Sequence, residues 1–328
     1  MTIASQSADV AQGPVLSGIA GRSPSQIAWS RLKRDKVGMV SLAVITVTLV
    51  VALFAPLIAS LLGLDPLEPH NELIGDGGLP KGPLHSGISP EHPLGVEPGI
   101  GRDILSRLLY GARISLLVAG LGTLLTVVLG VTIGLIAGYV GGRTDRLLGR
   151  FMDLVLSFPQ LVLLISLSPI ILQVLNTKFG LTGNAARITF LILVFGIFGW
   201  PYLARIVRGQ VLSLREREFI EAAVSVGAST RRILLKEMLP NLWVPIIVYA
   251  SLLLPTYIAS EAALSFLGVG IGEPTPTWGK MLSDSVAYYT VDPLYLFIPG
   301  TALLIVVLAF NLLGDSVRDA LDPRAGRS

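Results

Sequence analysis

Six stretches of this chain run for 17 residues or more without an Asp, Glu, Lys or Arg: 37–64, 114–142, 154–177, 188–204, 238–260 and 293–314. A helix that crosses a bilayer needs about 20 mostly apolar residues, within a range of roughly 17 to 25. Backbone polar groups in hydrocarbon must be satisfied inside their own segment, which favours helices over open strands. The pattern predicts six membrane-crossing helices and an all-α integral membrane fold. Reading one or two runs as buried helices of a soluble protein fits poorly with their length and freedom from charge.

The polar segments between the runs differ in kind. Residues 65–113 form the longest. Their first half, DPLEPHNELIGDGGLPKGP, is rich in Gly and Pro and reads as irregular loop. Their second half, GRDILSRLLYGARISL, is amphipathic, with Ile104, Leu105, Leu108 and Leu109 on one helical face. It predicts a short helix near the outer surface leading into the second span, with Asp103 and Arg107 four apart and able to pair. Pro159, Pro169, Pro201, Pro245, Pro255 and Pro299 fall in or near the spans. They read either as ordinary kinks or as bends around a pathway.

Residues 218–241, EFIEAAVSVGASTRRILLKEMLPN, form a charged, helix-prone excursion between two apolar runs. Good helix formers occupy 216–226, with Phe219, Ile220, Ala223 and Val224 on one side. Gly227 is placed to end that helix. Ser229 or Thr230 can cap a second one that leads to Pro240 and the fifth span. The result is a helix–turn–helix. Its small residues suit docking into a groove, while its arginines also suit rest on a membrane surface.

Composition strengthens the membrane reading. Of the 328 residues 52% are hydrophobic and only 14% charged, against about 25% in soluble domains. The mean hydropathy is +0.70. There is no cysteine, which excludes disulfides, thiol nucleophiles and Cys metal sites. The net charge of +3 gives no reason to invoke nucleic acid. The first 24 residues lack a basic segment followed by an apolar run, so they read as a disordered polar tail and not as a cleaved signal peptide. With the N-terminus inside, 18 of the 25 basic residues fall in inner segments and 7 in outer ones. That bias places both termini, and the 218–241 excursion, in the cytoplasm.

Enzyme chemistry is missing. His70, His85 and His92 lie in the Gly/Pro-rich loop at spacings that match no metal motif. No HExxH, GxSxG or GxxxxGK[ST] occurs. The nearest phosphate-loop decoy, TWGKML, lacks the leading glycine, and Met281 replaces Ser or Thr. No catalytic residue, metal site or cofactor is expected in this chain. If transport here runs on ATP, a different chain is the ATPase.

The excursion resembles the EAA loop of bacterial ABC importer permeases. Glu221, Ala222 and Ala223 are followed by Gly227, then by Leu239 and Pro240 twelve and thirteen residues later. One departure is Glu237, where the family carries an apolar residue. SQIAWSRLKRDKVGMVSLAVI resembles the N-terminal segment of the C-type permease of dipeptide, oligopeptide and nickel importers. HPLGVEPGIGRDILSRLLYGARISL, with Gly101, Arg102, Asp103 and Arg107, resembles that subgroup's outer-loop signature, although VEPGI departs from its usual spacing. ASEAALSFLGVGIGEPTPTWGKMLSDS and NLLGDSVRDALDPR resemble its fifth-span exit and C-terminus.

The resemblance runs from about residue 24 to the end. It implies a type I ABC importer permease fold, a five-helix MetI-like core with an extra first helix. The implied boundaries are a tail at 1–24, an N-terminal segment with the first helix at 25–65, and an extracytoplasmic loop at 66–112. A core follows at 113–314, with the EAA loop at 211–241, and then a cytoplasmic tail at 315–328. The implied partners are a second, B-type permease, two ABC ATPases that bind ATP and Mg, and an extracytoplasmic substrate-binding protein, in a bacterial inner membrane. The implied cargo is a peptide, with nickel chelates, glutathione or another small solute as the alternative. In this family the EAA loop couples the permease to the ATPases. An ion-driven secondary transporter is disfavoured because the six runs lack deep ionisable residues. Glu261 comes nearest, just past the fifth run. It reads either as a satisfied helix-end residue or as a wall of the translocation path.

Overall fold

The computed structural model describes residues 24–82 and 86–321. The disordered tail expected at 1–24, apart from Pro24, and the last seven residues lie outside them, as does His85. The elements are helical throughout: α1 Pro24–Leu32, α2 Lys36–Leu53, α3 Ala55–Leu61, α4 Ile104–Val140, α5 Gly142–Leu156, α6 Gln160–Phe179, α7 Gly183–Arg215, α8 Glu218–Ser225, the single turn α9 Thr230–Arg232, α10 Trp243–Phe266, α11 Trp278–Ser285 and α12 Pro293–Leu321. A π turn, Ile233–Met238, and a 3-10 turn, Leu239–Leu242, join α9 to α10.

Among the described residues, six segments are long and apolar enough to cross a membrane: α2, α4, α6, α7, the continuous stretch Thr230–Phe266, and α12. Each contains one of the six charge-free runs or most of it. The ends differ, because charge does not stop a helix. Hydrogen bonding does. α4 begins at Ile104, ten residues before its apolar run, since Asp103 caps it by accepting a hydrogen bond from Ser106 N at 2.6 Å. The short outer helix expected in this region is therefore the first three turns of α4, and the boundary expected at 112 falls inside a helix. The first run splits at Phe54 because Pro56 cannot continue the ladder of α2 and instead opens α3. Pro159 divides the third run, so that α5 ends before it and α6 begins after it. α12 continues to Leu321, so the expected tail at 315–328 is helical over its first half.

The centre of the fold is the parallel pair α4 and α7. Gly130, Gly134 and Gly138 of α4 face Leu203, Val207 and Val211 of α7 at helical spacing. A Cβ at Gly134 would lie 2.7 Å from the Ala204 carbonyl oxygen, so the two backbones touch there. Small residues at four-residue intervals are what lets membrane helices pack this closely. α10 packs on α4, α7 and α12, and α2 covers α12 and α4. α6 leans on α7 with most of its surface uncovered: 17% of its apolar window is buried, against 56% for α7. Leu121, Leu124, Val128, Ile170, Phe297 and Leu304 are among the many exposed apolar side chains. A surface this apolar belongs in lipid or against other subunits.

Candidate functional site

The excursion at 218–241 folds as a docked helical hairpin. α8 has Glu218 and Glu221 in its first turn, where the helix dipole favours acids. Its end is a Schellman turn. Ala228 N donates to Ala223 O at 3.0 Å and Gly227 N to Val224 O at 2.9 Å, with Gly227 at φ +75°. Ser229 then accepts from Arg232 N and starts the second half. Ile220, Ile233, Met238 and Leu242 are buried together with Leu203, Val207 and Val211 of α7, Leu135 of α4 and Ile246 of α10. Leu239 and Ala223 pack on the same cluster, while Pro240 is exposed and opens the 3-10 turn.

The two alanines therefore face opposite ways. Ala222 is exposed, whereas Ala223 is half-buried against its own chain. The apolar side read from the sequence also divides, with Ile220 inward and Phe219 and Val224 outward at 41% and 54% exposure. Val226, 82% exposed, extends the outward patch. Glu221 lines an open cavity of about 760 Å³ with Tyr139, Arg215, Val224 and Thr230. The hairpin thus presents an acid, a methyl and three apolar side chains outward, from a base welded to three long helices.

At the opposite end, the signature Gly101, Arg102, Asp103 and Arg107 enters one buried cluster. Gly101 accepts from His70 N at 3.0 Å. Arg107 is fully buried. Its Nε lies 3.0 Å from Glu97 Oε2, and its Nη2 lies 3.1 Å from Glu273 Oε1. Arg102 bridges the same two acids. Tyr295 of α12 donates its hydroxyl to Glu97 at 3.2 Å. Asp103 does not pair with Arg107 as the four-residue spacing suggested. It caps α4 and accepts from His92 Nδ1 at 2.9 Å instead, because Arg107 is committed to two acids from distant segments. Burial pushes the Glu97 carboxyl up, against the pull of Arg107 and Arg102. Burial also acts to raise Glu273, but Arg102, Arg107 and Lys280 outweigh it and hold that carboxyl below its ordinary range. Asn184 and Arg187, at the start of α7, hold the same 270–275 segment by hydrogen bonds to Gly270 O, Gly272 O and Thr275. The cluster thus fastens the outer loop, α4, α7, α11 and α12 together.

Glu97, Glu273 and Tyr295 were not singled out in the sequence. Glu97 sits five residues before Arg102 and Glu273 lies in a loop 171 residues away, so no local spacing marks them. Glu261 lies within α10, since that helix runs on to Phe266. It is fully buried. Its carboxylate accepts from Ser115 Oγ of α4 at 2.7 Å and from Ser265 Oγ at 2.8 Å, and the Thr277 hydroxyl adds a third hydrogen bond. It faces these hydroxyls and no open space. The His70 and His92 rings touch in a tilted arrangement, centroids 4.4 Å apart at 54°. Among the described residues no group of three or more metal-ligating side chains converges.

Comparison with known proteins agrees with this architecture. Residues 130–327 match the family described as binding-protein-dependent transport system inner membrane component. Residues 23–72 match the N-terminal TM domain of oligopeptide transport permease C. The dipeptide transport system permease protein DppC of Alkalihalophilus pseudofirmus is 41% identical over 92% of this chain and 90% of its own length. The oligopeptide transport system permease protein OppC of Haemophilus influenzae is 44% identical over 68% of each chain. The glutathione transport system permease protein GsiD of Escherichia coli is 37% identical over 92% of this chain and 91% of its own. An inward-facing structure of the MetNI methionine ABC transporter matches with a TM-score of 0.52 at 21% identity, over 66% of this chain and 96% of that one, a likeness of fold alone.

Proposed function

Because this chain belongs to the family of binding-protein-dependent transport system inner membrane components, we propose that it is the C-type permease subunit of an ABC importer of dipeptides and oligopeptides. The observation that carries the peptide reading is the similarity to a dipeptide permease over 92% of the chain. In this reading a B-type permease supplies the other half of the path, two ABC ATPases bind ATP and Mg, and an extracytoplasmic binding protein delivers the cargo. The membrane is the bacterial inner membrane. Both termini face the cytoplasm, as the 18-to-7 distribution of basic residues favours.

The coupling element is the 218–241 hairpin. Glu221, Ala222, Val224 and the Gly227 turn face the ATPase, while Ile220, Ala223 and Leu239 bind the hairpin to its own chain. Pro240 starts the turn into α10. A push on α8 reaches α4, α7 and α10 through their shared buried cluster. Glu261 serves as a tie between α4, α10 and the segment before α11. A glutathione cargo is the second reading, favoured by the 37% identity to a glutathione permease.

The test is uptake of a tritiated dipeptide by membrane vesicles holding the assembled importer, with and without ATP. The expected result is ATP-dependent uptake that an excess of unlabelled tripeptide suppresses more strongly than an equal excess of glutathione. Stronger suppression by glutathione selects the second reading. Uptake that follows an ion gradient without the ATPases overturns both.

A further inference from the structure

α5 has a face that the coupling role does not use. Its Leu148 and Met152 pack inward against Ile133 and Ala137 of α4 and Trp200 and Ala204 of α7. Two ion pairs, Asp145–Arg208 and Asp153–Arg205, fasten it to α7. Beside these pairs a cavity of about 460 Å³ opens, lined also by Arg146, Arg150, Gly142 and Gly149. The glycines contribute room. A Cβ at either would meet nothing within 4 Å. Arg146 and Arg150 are exposed and have no acidic partner among the described residues. Four arginines and two aspartates leave the lining with a formal charge of +2.

The neighbouring flank of the same helix is apolar. At 100° per residue, Leu147, Phe151 and Leu154 lie just beyond the arginines. They are 71%, 50% and 55% exposed. The cavity therefore holds a surplus of guanidinium groups, which pair well with phosphate, next to a stripe that water disfavours. A free phosphate satisfies only the first half of this surface. A molecule with an anionic head and hydrocarbon chains satisfies both. The depth agrees, since α5 runs beside Arg205 and Arg208, where α7 leaves its charge-free run.

The geometry points to a binding site for an acidic phospholipid, with its phosphate on Arg146 and Arg150 and its chains along Leu147, Phe151 and Leu154. That this lipid belongs to the inner leaflet rests on the orientation proposed above, but the binding itself does not.

The experiment uses the full chain, purified in mild detergent, stripped of lipid, and titrated with phosphatidylglycerol or phosphatidylcholine under native mass spectrometry. Phosphatidylglycerol is expected to be retained at least about tenfold more strongly, and Arg146→Gln/Arg150→Gln to lower its retention about 30-fold. Arg146→Lys/Arg150→Lys should keep most of the binding, and Arg318→Gln, which removes an exposed charge on α12, should keep all of it. Both cavity variants should elute as the parent does on size exclusion, since the side chains are exposed. Equal retention of the two lipids overturns the proposal. So does undiminished binding by the Gln variant, or displacement of the lipid by millimolar inorganic phosphate.

Discussion

Gly227 gives the sharpest handle on the coupling role proposed for the 218–241 hairpin. Its φ of +75° lies in the left-handed region, and a Cβ built there would touch nothing within 4 Å. Within this chain, then, a substitution is penalised only through backbone strain. For an L-residue that strain is about 1–2 kcal/mol, less for Asn and more for β-branched residues. The formed Schellman turn should therefore lose about 5- to 30-fold in population relative to the open loop for Gly227→Ala. Gly227→Asn should lose least and Gly227→Val most. The assay is copurification of the ATPases together with peptide uptake, on membranes that hold equal amounts of the permease. Retention and uptake should fall in the order Gly, Asn, Ala, Val. An order by size, with Ala better tolerated than Asn, would mean that a partner's surface presses on this residue and that φ is not the cause. A Val variant equal to the parent would refute the turn as a coupling element.

Arg107→Met removes one partner of a buried pair while Arg102 still holds Glu97 and Glu273. It should cost about 3 kcal/mol, the low end for a broken buried pair, seen as a melting temperature several degrees lower. Glu97→Gln/Arg107→Met should recover much of that loss, and equal melting of the single variant and the parent would contradict the cluster. Gly134→Ala should destabilise by about 1–3 kcal/mol, because the atom in the way is a backbone oxygen that cannot swing aside. Gly120→Ala, with open space around it, is the control. Hydrogen bonding from Arg208 holds the Asp145 carboxyl below its ordinary value. The stability from this pair is thus fully present above about pH 4 and lost as pH falls through the folded-state pKa. The difference in melting temperature between parent and Asp145→Asn should shrink on acidification, and a constant difference would exclude the linkage.

The membrane fold was legible because a bilayer imposes a length and an absence of charge that any window can detect. The helix ends were not, since the edge of an apolar run does not mark them: Asp103 starts α4 ten residues ahead of its run through one capping hydrogen bond, and Pro159, which has no N–H to give, breaks a run that is apolar on both sides of it. In the hairpin, Gly227 and Ser229 could be read directly, because a glycine stop and a serine cap are local events. Which of Ala222 and Ala223 faces outward depends on how α8 rolls against α7 and α10, and composition carries no record of that. The outer cluster was half visible. Glu97 stood in the same marked segment as Arg102 and Arg107, and Glu273 in a second one, but that the two segments meet depends on how the loop after α10 folds back over α4. Glu261 was placed beyond a span because its charge ended the run, although three hydroxyls let the helix carry it onward.

The glycine seam between α4 and α7 has a mechanical consequence. Two helices whose backbones touch cannot slide by one another without lifting apart, so the pair behaves as a stiff beam about 55 Å long. One end carries Arg107 and the other carries the stalk that leads into α8. A tilt of about 5° around the middle of a beam this long would carry each tip by about 2.4 Å, in opposite directions. An ion pair of 3.0 Å, such as Arg107 with Glu97, does not survive a stretch of that size. A modest lean started by a partner at one face would therefore arrive at the other as a broken clasp, with no moving part in between.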